Sequence, residues 1–184
     1  MKHTIAALLI SQFATPLMAQ CPAAPDHSER LSALIVAAQV APSEAAARKI
    51  SDSMWELWAD APDEKAQDLL DFGMSRREIF DFDGALQAFE ELVAYCPDYA
   101  EGYNQRAFVN YLREDFDAAL VDLDAALLRS PRHIAAIAGK GLTLLGLGRE
   151  EDAQTALRDA VSLNPWLSER HLLKGDMPVP KIDL

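Results

Sequence analysis

Cysteine is nearly absent from this chain: Cys21 and Cys96 are its only two. No Cys-x-x-Cys occurs, and no pair among His3, His27, His133 and His171 has the i, i+4 spacing of a zinc helix, so the sequence offers no metal-ligand set. Basic residues are scarce as well, 17 against 29 acidic ones, for a net charge of −12. That balance argues against nucleic acid, whose phosphates require clustered Lys and Arg, and against adsorption to an anionic membrane face. Glycine-rich phosphate loops are missing, as is a G-x-S-x-G nucleophile turn. "GLTLLGLG" (141–148) is the one glycine-rich run, and it fits no such motif. No catalytic constellation emerges and no cofactor is implied. What remains, half the residues hydrophobic and a quarter charged over 184 positions, is the profile of a soluble globular chain with room for one domain or a short repeat array.

The opening "MKHTIAALLISQFATPLMAQCPAAP" joins a basic start at Lys2 to an apolar run from Ile5 to Phe13, then Pro16 and small residues. This is the layout of a secretory signal peptide over residues 1–19, too short to anchor in a bilayer. An amphipathic first helix is the alternative. No acidic residue appears before Asp26, which favours export, and the short signal with its single Lys makes the periplasm the expected destination. Gln20 stands where lipid attachment to Cys21 would need a small residue.

Self-similarity comes next. Pro97, Pro131 and Pro165 are spaced by 34 residues, and so are Gly73/Ala107/Gly141, Ala85/Ala119/Ala153 and Phe89/Leu123/Leu157. Small residues in two of these columns let antiparallel helices approach where they cross. The large apolar residue four positions after each alanine shares its face and fills the space beside the crossing. Each proline ends a second helix. Acidic residues gather where the second helices begin, as the helix dipole favours.

The unit "AEGYNQRAFVNYLREDFDAALVDLDAALLRSPRH" (100–133) resembles the tetratricopeptide repeat along its full length, with Tyr103, Ala107, Phe116, Ala119, Leu123, Ala126 and Pro131 at motif positions. Units 66–99 and 134–167 are looser copies. The resemblance implies an all-α, right-handed superhelical array of antiparallel helix pairs. Residues 20–65 read as an N-terminal helical hairpin, either a divergent repeat or a non-repeat cap, covering the outer face of the first unit. Ser43 is its expected internal N-cap. Residues 168–184 read as a short closing helix ending at Gly175, then an extended tail.

Arrays of this family bind peptide segments in the concave groove lined by the first helix of each unit. Carried over by position, the groove would show Leu70, Met74 and Arg77 from the first unit. From the second it would show Glu101, Asn104, Phe108 and Tyr111, and from the third Leu142 and Leu145. Chaperone-tail binders in the family clamp a terminal carboxylate with Lys, Asn and Arg. Leu70 and Met74 occupy two of those positions here, so that clamp is not matched. The resulting expectation is a non-catalytic periplasmic adaptor for another protein, with a self-associating spacer, through the Trp55/Trp58 hairpin, as the alternative. In an exported chain, Cys21 and Cys96 invite a disulfide; two free thiols are the other reading.

Overall fold

The computed structural model describes residues 21–178, which form eight α-helices and one short 3₁₀ turn. The expected signal segment and the last tail residues lie outside the described residues. A hairpin of α1 (Ser28–Gln39) and α2 (Glu44–Trp58) precedes three helix pairs. These are α3 (Glu64–Glu78) with α4 (Phe82–Tyr95), α5 (Ala100–Leu112) with α6 (Phe116–Arg129), and α7 (Ile134–Gly146) with α8 (Glu150–Leu163).

The small-plus-large columns build the crossings. A Cβ placed on Gly73 would lie 2.4 Å from the Phe89 ring, and one on Gly141 would lie 2.7 Å from Leu157. Only a missing side chain lets α3 meet α4, and α7 meet α8, at that distance. Ala107 and Leu123 form the same buried pair in the middle unit.

The turn inside each unit obeys a second column. Phe80 and Glu114 both sit at φ 62°, and Gly148 at φ 71°. Each closes its first helix through two backbone bonds, such as Phe80 N–H to Arg77 O (3.0 Å) and Asp81 N–H to Arg76 O (2.9 Å). This left-handed cap usually falls to glycine. Asp81 and Asp115 then cap the second helices, accepting from Gly84 N at 3.1 Å and Ala118 N at 3.2 Å. In the first two units the acidic clusters therefore do more than complement the dipole, because one member is an N-cap; α8 starts from Arg149 without a side-chain cap.

The hairpin departs from its expected place. Ser43 does cap α2, accepting from Ala46 N at 3.3 Å. Instead of stacking on the outer face of the first unit, however, the pair runs across the array. Ile35, Ala38 and Met54 pack with Ile134, Leu163 and Leu167 of the third unit. Gln39 Nε2 donates to Ser162 O at 2.8 Å, Asn164 Nδ2 to Ser51 Oγ at 3.0 Å, and Arg170 pairs with Glu44 at 3.2 Å. At the other end, Tyr99 Oη donates to Trp58 O at 2.8 Å. Cys21 is disulfide-bonded to Cys96, Cα to Cα 5.1 Å. The physical reason is apolar matching: the faces of α1 and α2 find their complement at the junction of α7 and α8. The closing element is likewise shorter than expected, a 3₁₀ turn over Ser168–Leu172, with Gly175 at φ 81°. No described helix is long and apolar enough to cross a membrane.

Candidate binding cleft

Helices α3, α5 and α7 carry one face of the array, and α2 closes over part of it. Between them lies a cleft of about 400 Å³ lined by Arg77, Asn104, Phe108, Tyr111 and Leu142, with Trp55 from the hairpin and Glu169 from the 3₁₀ turn. That volume falls in the range of ligand-sized sites. Phe108 keeps 43% of its surface exposed, unusual for an aromatic on a packed helix face. The Arg77 guanidinium lies 4.8 Å from the Phe108 ring centre, within cation–π reach. Burial pulls the Arg77 guanidinium down from its ordinary range, while Glu78 and Glu101 act in the opposite direction.

Beneath the cleft is a polar cluster that positions it. Glu101 and His133 are both fully buried and meet at 2.7 Å, Oε2 to Nε2. His133 Nδ1 accepts from Ala136 N at 3.3 Å and so caps α7. An accepting Nδ1 carries no proton, so Nε2 holds the hydrogen and donates it to Glu101. Glu101 also accepts from Gln105 Nε2 at 2.5 Å and from Asn104 Nδ2 at 3.1 Å. Gln105 Oε1 in turn receives Arg77. Trp58 stacks on the His133 ring, centres 4.2 Å apart at 16°. Hairpin and cleft floor are thus joined through one imidazole. The donors that meet the carboxylate are thereby paired, as burial demands, whereas Trp58 Nε1 and Thr143 Oγ1 are buried without a hydrogen-bond partner among the described residues.

Five positions carried over from the family resemblance, Arg77, Asn104, Phe108, Tyr111 and Leu142, come together at the cleft. Four do not. Leu70 is fully buried against Phe89 and Leu92, and Met74 packs on that same cluster. Leu145 packs against Leu144, Ala153 and Ala156. Glu101 points into the buried cluster rather than the cleft, because its carboxylate is consumed by His133, Asn104 and Gln105. Trp55 and Glu169 were missed, since each comes from an element whose placement the repeat period does not dictate. A larger furrow of about 600 Å³ between α6, α7 and α8 is a weaker candidate. Several of its charges are already satisfied, Lys140 by Asp124 and Arg149 by Asp152, both at 2.6 Å.

No family model matches the chain. Among curated proteins it is 33% identical over 67 residues to a TPR repeat-containing protein of Rhizobium etli, covering 36% of this chain and 33% of that one. It is 32% identical over 116 residues to tetratricopeptide repeat protein 36 of Xenopus tropicalis, covering 60% and 56%. The chain spans only about a third to two thirds of the length of these and the other curated relatives it matches. Among solved structures, the TPR2B domain of yeast Sti1 in complex with an Hsp70 peptide superimposes with a TM-score of 0.56 at 21% identity, covering 60% of this chain and 90% of that one. The chain has the fold of tetratricopeptide-repeat arrays and resembles such proteins in sequence. In this array the three units supply the cleft's walls, and Trp55 and Glu169 add features from outside them.

Proposed function

We propose that the chain is a non-catalytic interaction adaptor that binds a segment of another protein in the cleft formed by α3, α5, α7 and Trp55. The observation behind this reading is Phe108, an aromatic held exposed in a cleft that Tyr111 and Leu142 also line. Exposed aromatic area ringed by amide and charged groups suits protein recognition. Structural neighbours support the same use, since the Sti1 domain is seen with an Hsp70 peptide and the first TPR of Spaghetti with an HSP90 peptide. We place the adaptor in the periplasm, following the signal-like start. A disulfide between Cys21 and Cys96 suits that oxidising compartment. Changing Phe108 and Tyr111 to Ala should abolish affinity capture of a native partner while leaving the circular dichroism unchanged. Undiminished capture by that variant sinks the cleft reading.

A second reading, self-association as a spacer, rests on a different patch. Trp58 is stacked on His133 and Trp55 lines the cleft, so the hairpin tryptophans are not a free surface. Phe72, Ile79 and Phe80 of the first unit are exposed, Phe80 by 79%. Sedimentation at several concentrations decides it; a strict monomer ends the spacer reading.

A further inference from the structure

Two charged side chains line the cleft, Arg77 at its first-unit wall and Glu169 in the turn after the third unit. Neither belongs to an ion pair among the described residues. Arg129 and Arg158 are likewise part-buried and outside the ion pairs, but backbone carbonyls take up their guanidinium groups, Pro97 O and Ala125 O for the first and Asp176 O and Lys174 O for the second. Arg77 meets no backbone carbonyl among the described hydrogen bonds. Its guanidinium offers five N–H donors, and the one described acceptor is Gln105 Oε1. Among the described residues, Glu169 receives one hydrogen bond, from the neighbouring Ser168 hydroxyl at 3.1 Å. Phe108 on α5 and Ala138 and Leu142 on α7 supply apolar lining to the same cleft.

We infer that this cleft takes a mixed-charge peptide, one acidic side chain meeting Arg77 and one basic side chain meeting Glu169, with apolar residues between. The inference rests on the peptide-binding reading given above and specifies its ligand. A uniformly acidic segment is disfavoured at three points. Glu169 repels it at one end, Glu78 adjoins Arg77 in sequence, and the whole chain carries −12. A uniformly basic segment would leave a cation against Arg77. One guanidinium and one carboxylate in a single apolar-lined cleft select by charge order, which gives specificity as well as affinity.

The test uses the folded chain and blocked octapeptides, acetylated and amidated so that only side chains bear charge. Their cores are Leu, Phe, Ala and Gly. Their end residues are Glu/Lys in both orders, Gln/Lys, Glu/Gln, Gln/Gln, Glu/Glu or Lys/Lys, and binding is read by fluorescence anisotropy. At least one Glu/Lys order should bind about ten-fold or more tighter than Gln/Gln, the scale of one charge-assisted hydrogen bond. Arg77→Gln should bring Glu/Lys and Gln/Lys peptides to parity, and Glu169→Gln should do the same for Glu/Lys and Glu/Gln. Arg77→Glu should bind Lys/Lys better than the parent does, a gain that a misfolded variant cannot show. Equal binding of all end formats, with Phe108→Ala weakening every one, overturns the charge inference and leaves the cleft reading standing. A requirement for an unblocked terminus also overturns it. No binding by any format, or binding indifferent to Phe108→Ala, removes both.

Discussion

Opening the Cys21–Cys96 bond tests how the hairpin is held. The bond spans 75 residues of sequence, and chain entropy for a ring of that size amounts to about 4.5 kcal/mol at 25 °C. Residual structure in the unfolded chain subtracts from this, leaving roughly 3–4.5 kcal/mol. At about 2–4 °C per kcal/mol for a chain of this length, the thermal midpoint should fall by roughly 6–18 °C. Cys21→Ala is the cleaner variant, because Cys96 sits inside the buried cluster of Leu70, Phe89 and Leu92 and its truncation adds a cavity. Urea unfolding of the oxidised parent, the reduced parent and Cys21→Ala gives three curves. The second and third should agree within about 0.5 kcal/mol, both well below the first. If the oxidised parent and Cys21→Ala unfold within about 1 kcal/mol of each other, ring closure is not what the bond contributes and the reasoning fails.

The remaining expectations concern the crossings, caps and buried cluster. Glu101→Ala should cost about 3 kcal/mol or more, at about 1 kcal/mol or more for each of the three donors it strands, the His133 N–H and two amides. Glu101→Ala and His133→Ala together should cost less than their sum by at least about 1 kcal/mol in a urea double-mutant cycle, and strict additivity would contradict the direct contact. Gly73→Ala should lower the thermal midpoint, since about 1–3 kcal/mol of overpacking against Phe89 outweighs about 1 kcal/mol of helix propensity. Phe80→Gly should raise it by the equivalent of about 1 kcal/mol, relieving a bulky residue at φ 62° whose ring is largely exposed. A loss of stability there would show that the ring packs better than its exposure suggests. Asp115→Ala should cost about 1 kcal/mol through the lost cap, measured by urea unfolding.

The repeats were legible because their geometry is written locally. A glycine or alanine at a helix crossing and a large residue beside it recur at a fixed interval, so Gly73 with Phe89 announces what Gly141 with Leu157 repeats. The column Phe80/Glu114/Gly148 keeps the same interval but carries little sequence signal, because only its last member is the glycine that a left-handed cap favours. Phe108, Tyr111 and Leu142 reach the cleft by register alone. Leu70 and Glu101 come from the same groove-face pattern, yet Leu70 is buried against Phe89 and Leu92 of its own unit and Glu101 is held by His133 at the start of α7, contacts that a register position does not reveal. The hairpin's path was the largest departure. Its apolar face signals burial without saying against what, and its complement lies more than 100 residues further along the chain, at Ser162 and Asn164.

That path changes how the array should come apart. An open stack of repeats has two free ends, and its outermost unit can fray at the cost of one interface. Here the hairpin is bonded to the first unit at Cys96 and packed onto the third at Ser162 and Asn164, so the stack is closed into a ring. Releasing α8 means releasing α1 as well, and the last unit loses the independence of a chain end. Amide exchange should then report similar protection in α4, α6 and α8, where an open solenoid would show a gradient falling toward its terminus.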